Sequence, residues 1–130
     1  MYQLCLLREF TARHYLVGGD WGSENREHAH RYKLEWELGA VVLDDDGFLI
    51  DLTVLEKALV QIVKGITDQV LNDLPAFRER NPSLERFAHY LSDQLVGFLD
   101  QADPTARIQH SIIRLWESHS AWAAWTQSRA

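Results

Sequence analysis

The chain has one cysteine, Cys5, among 130 residues, so it cannot form an internal disulfide. A reducing compartment is the simpler expectation. Lys and Arg are also scarce: 13 against 19 Asp and Glu, for a formal net charge of -6. With no basic run, the electrostatic footprint of a nucleic-acid binder is missing. A phosphorylated small molecule stays open, because it needs only a few well-placed cations. No apolar run approaches the roughly 20 residues of a membrane span. The opening MYQLCLLREF has no basic segment and too short an apolar stretch for a secretory signal, so the cytoplasm is expected. Prolines number three, and there is no repeat or low-complexity tract. What remains, 46% hydrophobic and 25% charged, suits one soluble domain over residues 1–130.

Hydrophobic periodicity orders that domain. Alternation over residues 2–16 places Leu4, Leu6, Phe10, Ala12 and His14 on one face, predicting a strand. A cleaner alternation follows over 28–38, with His28, His30, Tyr32, Leu34, Trp36 and Leu38 against Arg31, Lys33, Glu35 and Glu37. The polar, Gly-rich segment between them is a hairpin loop. After the turn at Asp44–Gly47, Thr53 and Glu56 fit a capping box ahead of Leu55, Leu59, Ile62 and Ile66, the stripe of a first helix. Ser83 is the expected N-cap of a second, carrying Leu84, Phe87, Ala88, Leu91, Leu95 and Phe98. Strands over 107–117 and 121–127 complete the order ββααββ. This is an α+β fold: a four-stranded antiparallel sheet with two helices on one face. The third strand offers apolar residues to both faces (Ile108 and Ile112; Ile113 and Leu115), which with Trp122 and Trp125 points to burial against other subunits.

His28 and His30 lie two apart, so their side chains share a face at the start of one strand. His14 sits near the end of the preceding strand, which an antiparallel hairpin places beside that start. Three imidazoles then converge, the ligand set of a zinc site that keeps a fourth position open. The alternative is a solvated histidine cluster at a strand end. His89, His110 and His119 lack this mutual arrangement and read as surface or packing residues.

Several segments resemble, in order, the motifs of the 6-pyruvoyl-tetrahydropterin synthase family. Phe10-Thr11-Ala12-Arg13-His14 resembles F-S-A-x-H, and His28-Ala29-His30 resembles H-G-H. Gly47-Phe48-Leu49-Ile50-Asp51 resembles G-m-v-i-D-f, while Asp68-Gln69-Val70-Leu71-Asn72 resembles L-D-H-x-x-L-N. Asn81-Pro82-Ser83-Leu84-Glu85 resembles P-T-x-E-N, and Trp116-Glu117-Ser118 the terminal x-E-T. The family includes 6-carboxy-tetrahydropterin synthase of the queuosine pathway. The resemblance implies a tunnelling fold, in which trimers close a barrel and pair into hexamers. It also implies that Zn2+ is held by His14, His28 and His30, and that a pterin, 7,8-dihydroneopterin triphosphate or a relative, is gripped by Glu117. Outside that resemblance, Glu117 reads as half of a strand-end salt bridge, and Asp51 as a turn or helix-start residue.

The sequence departs from the family at its proton-transfer groups. Where a catalytic Cys normally stands shortly before H-G-H, this chain has Glu24, and Cys5 reads as a small core residue. The family's Asp-His pair becomes Asp68-Gln69, and Gln cannot titrate. A subgroup of the family carries Glu at the Cys position and releases a different pterin product. Glu24 and Asp68 are therefore the candidate bases, Glu24 being otherwise an ordinary loop acid. His119, close to Glu117, is a further candidate for the lost imidazole. Three readings follow: a lyase-like enzyme with altered proton transfer, a pterin-binding zinc protein that has lost catalysis, or, behind both, a purely structural zinc site in an assembly module.

Overall fold

A computed structural model describes residues 1–129. Strands β1 (Tyr2–His14) and β2 (His28–Ala40) are followed by helices α1 (Leu52–Ile66) and α2 (Leu84–Ala102), then by strands β3 (Ile108–Ser118) and β4 (Ala121–Ser128). The strands form one antiparallel sheet in the order β1-β2-β3-β4, with the helices against one face. Fold class and element order are those the periodicity predicts.

The hairpin register fixes everything downstream. Tyr2 pairs with Ala40 at one end and His14 with His28 at the other, so both strands keep one phase over thirteen residues. Leu6, Phe10, Ala12 and His14 of β1 meet Tyr32, Leu34, Trp36 and Leu38 of β2 beneath the helices, all buried. Phe10 stacks on Tyr32 with ring centroids 5.4 Å apart, and Phe87 of α2 meets Tyr32 edge-on at 5.1 Å. This aromatic cluster is the floor under the histidine end of the sheet. The opposite face is charged: Arg31 pairs with Glu9, and Arg114 bridges Glu35 and Glu37. Cys5 belongs to that face. It is exposed rather than a core residue, because odd positions of β1 point away from the helices.

Three local expectations change. Helix α1 is capped by Asp51, whose carboxylate accepts the Thr53 N–H at 2.9 Å. The helix thus begins ahead of Thr53, which lies in its first turn instead of capping it. In α2 the cap is Ser83 as expected, accepting from Arg86 N–H, but Leu99 is fully buried at the far end while Phe98 is only partly so. On β3, a register shift opposite Gly39 and Ala40 turns Ile108 to the helix side, the side of Ser111, Ile113 and Leu115. His110, Ile112, Arg114 and Trp116 then face outward, so the outer face is less apolar than simple alternation implies.

Two buried polar groups tie β3 to its surroundings. Asp103, 2% exposed, accepts from the Ile108 and Arg107 amides and pairs with Arg129 at 2.7 Å. Burial pushes this carboxyl up, but those donors outweigh it and hold it below its ordinary value. The Trp36 indole, fully buried in β2, donates to the Ser111 hydroxyl at 2.8 Å. Ser111→Ala is expected to leave that N–H without a partner and to cost about 1–3 kcal/mol, read as a lower urea midpoint with an unchanged m-value.

Candidate metal centre

The register that pairs His14 with His28 also decides where the imidazoles meet. Ring centroids of His14, His28 and His30 lie 4.5, 5.0 and 4.8 Å apart, each pair close to perpendicular. The Nε2 atoms of all three are buried, and none has a hydrogen-bond partner. Buried polar atoms are seldom left so, and three facing one another form a donor set that a single metal ion would satisfy. The remaining ring atoms explain the orientation. His14 Nδ1 lies 3.3 Å from the Pro82 carbonyl and His28 Nδ1 2.7 Å from the Arg26 carbonyl. A carbonyl only accepts, so each Nδ1 carries the proton and each Nε2 turns a lone pair inward. Burial, then the neighbouring His28 and His30 rings, push the His14 imidazole down to about 4. It is therefore neutral at physiological pH, the form a metal binds.

Glu24 completes the set. It stands on a 3-10 turn, Gly22–Asn25, in the hairpin loop. Its Oε2 comes within 2.8 Å of His28 Nε2 without forming a hydrogen bond to it. One ligand atom from each of His14, Glu24, His28 and His30 lies within 4.8 Å of the other three. Three imidazoles and one carboxylate suit a first-row divalent ion such as zinc. The three predicted ligands and one of the two predicted bases are thus brought together by a single chain.

The other predicted residues fall differently. Glu117, on β3, reaches to 3.3 Å from His30 Nε2, and no Lys or Arg pairs with it among the described residues. It also borders a cavity of about 510 Å³ lined by Trp116, Lys33, Arg31, Glu9, Ser118 and His119. Asp68 does not join the imidazoles. It is exposed, in a left-handed turn (φ 60°) after α1, and donates its backbone N–H to the Thr11 carbonyl. Gln69 follows it along the edge of β1, accepting from Arg13 N–H. His119 is exposed in the β3–β4 turn, while His89 stacks on Trp125 and His110 lies across Gly39. Sequence reading missed the Pro82 and Arg26 carbonyls that orient the ligands. Backbone acceptors leave no mark in residue identity.

Residues 3–128 match the profile of the 6-pyruvoyl tetrahydropterin synthase family. A curated relative, 6-carboxy-5,6,7,8-tetrahydropterin synthase of Bacillus subtilis, is 30% identical over 95 residues, 69% of this chain and 62% of that protein. The chain therefore matches less than two thirds of that relative's length. Among solved structures, 6-pyruvoyl tetrahydropterin synthase of Plasmodium falciparum superposes with a TM-score of 0.81 at 15% identity, covering 98% of each chain. The Caenorhabditis elegans synthase gives 0.77 at 19%, covering 98% of this chain and 96% of that one. A Plasmodium vivax synthase, solved with a glutamate named as its catalytic residue changed to alanine, gives 0.76 at 16% over 98% and 99%. These neighbours share the tunnelling fold, and the profile spans nearly every described residue. With sequence motifs, element order and whole-chain match in agreement, the chain belongs to the 6-pyruvoyl tetrahydropterin synthase family.

Proposed function

We propose that this protein is a zinc-dependent, pterin-binding, lyase-like enzyme acting on 7,8-dihydroneopterin triphosphate or a related pterin. The observation that carries the reading is the set of three inward Nε2 atoms without a hydrogen-bond partner, with the carboxylates of Glu24 and Glu117 close by. His14, His28 and His30 would hold Zn2+, which when bound supplies Lewis-acid polarisation of the substrate's side-chain oxygens. Glu117 accepts from the pterin 2-amino group and ring N–H, a donor pair that a carboxylate matches with its two oxygens. Glu117 stands 3.3 Å from His30 Nε2, within reach of a ligand whose hydroxyls meet the imidazole cluster. Glu24 is the base, taking a proton from the substrate side chain and returning it to the product.

A second reading, a pterin-binding zinc protein without turnover, is favoured by one feature. Gln69 stands where relatives carry His, and among the described residues no imidazole beyond the three ligands joins Glu24. The two readings separate in one assay. Zinc-loaded protein is incubated with dihydroneopterin triphosphate while triphosphate loss and pterin products are followed. Turnover is expected. Tight binding without products would support the second reading, and absence of binding would end both.

The same family reading carries assembly and location. Strands β1 and β4 form the two edges of the sheet among the described residues, and Trp122 is half exposed on β4. Pairing of such edges into a trimer or hexamer would satisfy them. Among the described residues no helix is long and apolar enough to cross a membrane, and the cytoplasm is the compartment we propose.

A further inference from the structure

The loop that carries Glu24 is held by side-chain amides where strand pairing has run out. Beyond His14 the chain runs on through Val17 outside the strand, where pairing with β2 has ended. On one edge, Asn72 clasps the backbone of Tyr15, accepting its N–H at 3.0 Å and donating to its carbonyl at 2.9 Å. Asn81 does the same for Val17 at 2.8 and 3.1 Å. On the other edge the Leu16 N–H donates to the Glu24 carbonyl at 2.9 Å. Next to Glu24, one amide makes three bonds: Asn25 Nδ2 donates to the Leu16 and Gly19 carbonyls, both at 3.0 Å, and Oδ1 accepts the Trp21 N–H at 2.8 Å.

That pattern is specific to an amide. The two carbonyls require donors and the N–H requires an acceptor, and only Asn or Gln offers both from one planar group. The longer stem of Gln would misplace it. The bonds tie the two ends of the Gly22–Asn25 turn to each other and anchor its Asn25 end to Leu16, just after His14. Glu24 itself is pinned through both backbone groups, its N–H to the Trp21 carbonyl and its carbonyl to Leu16. Its carboxylate therefore stays beside His28 Nε2 even though nearly half of the side chain is exposed.

We propose that Asn25 is a positioning residue: it acts through Glu24, holding that carboxylate at the metal position. The inference rests on the reading of Glu24 as a metal-adjacent group, and the test separates the two. Zinc affinity is measured by competition with a chromophoric chelator, and ligand geometry from the visible bands of the Co(II)-loaded full chain. Asn25→Ala is expected to weaken zinc binding by about tenfold, the lower range for an outer-shell partner. It is expected to change the Co(II) bands in the same direction as Glu24→Ala. Adding Asn25→Ala to Glu24→Ala should then alter neither readout further, because the two act as one unit. Should Asn25→Ala fail to fold by circular dichroism, Asn25→Ser is put through the same cycle.

Losses that add in the double variant, or wild-type Co(II) bands in the Asn25 variant, would overturn the positioning role while leaving Glu24 in place. Unchanged zinc affinity and unchanged bands in Glu24→Ala would instead sink the reading of Glu24, and the role of Asn25 with it.

Discussion

His14→Ala is expected to cost the protein its metal. His14 is the most buried of the three ligands, 4% exposed, and the only one contributed by β1. Loss of an outer-shell partner alone weakens metal sites about 10–100-fold, so removal of a ligand should exceed 100-fold. Metal analysis after gel filtration, with His89→Ala as a surface comparison, gives the answer. Undiminished zinc in the His14 variant would refute the site.

The same ring sets a pH dependence in chelator-treated protein. Its folded value of about 4 lies below the 6.5 of an exposed histidine. Between those values the unfolded chain binds a proton that the folded chain refuses, so the contribution is complete above about 6.5. It is lost as pH falls toward 4, amounting to about 3 kcal/mol from this group. Urea midpoints of the metal-free protein at pH 7.5 and 4.5 test the sign: the acid midpoint is expected to be lower. The difference should shrink in His14→Ala.

Glu24→Gln is expected to lower turnover by about 10²–10⁴-fold, the usual worth of a positioned general base. Shape is retained and three imidazoles remain, so stoichiometrically loaded protein should keep its zinc. A fall in kcat measured per bound zinc, at saturating metal, identifies the base. Persistent activity would return proton transfer to another group, Asp68 being the first to examine. The structure favours Glu24 because its carboxylate already stands 2.8 Å from a ligand nitrogen, while Asp68 lies exposed beside β1.

Much of this was legible in the residues themselves. Strict alternation across β1 and β2 determined the face on which His14, His28 and His30 lie, because a strand offers only two faces. The hairpin determined which ends meet, since antiparallel pairing sets the end of one strand against the start of the next. The ordered motifs carried the family. The limits of alternation appear at β3, where a register shift moved Ile108 to the helix side, and at Cys5, which residue type alone had placed in the core.

Tertiary structure decided the rest. That Glu24 and not Asp68 joins the imidazoles depends on how a thirteen-residue loop is folded back and held by Asn25. That His14 and His28 turn Nε2 inward depends on the carbonyls of Pro82 and Arg26, one of them 68 residues away in the chain. Periodicity encodes which face a side chain occupies, because that follows from backbone geometry repeated residue by residue. It does not encode which backbone acceptor waits there, because a carbonyl is the same in every residue and only the folded chain brings it into range.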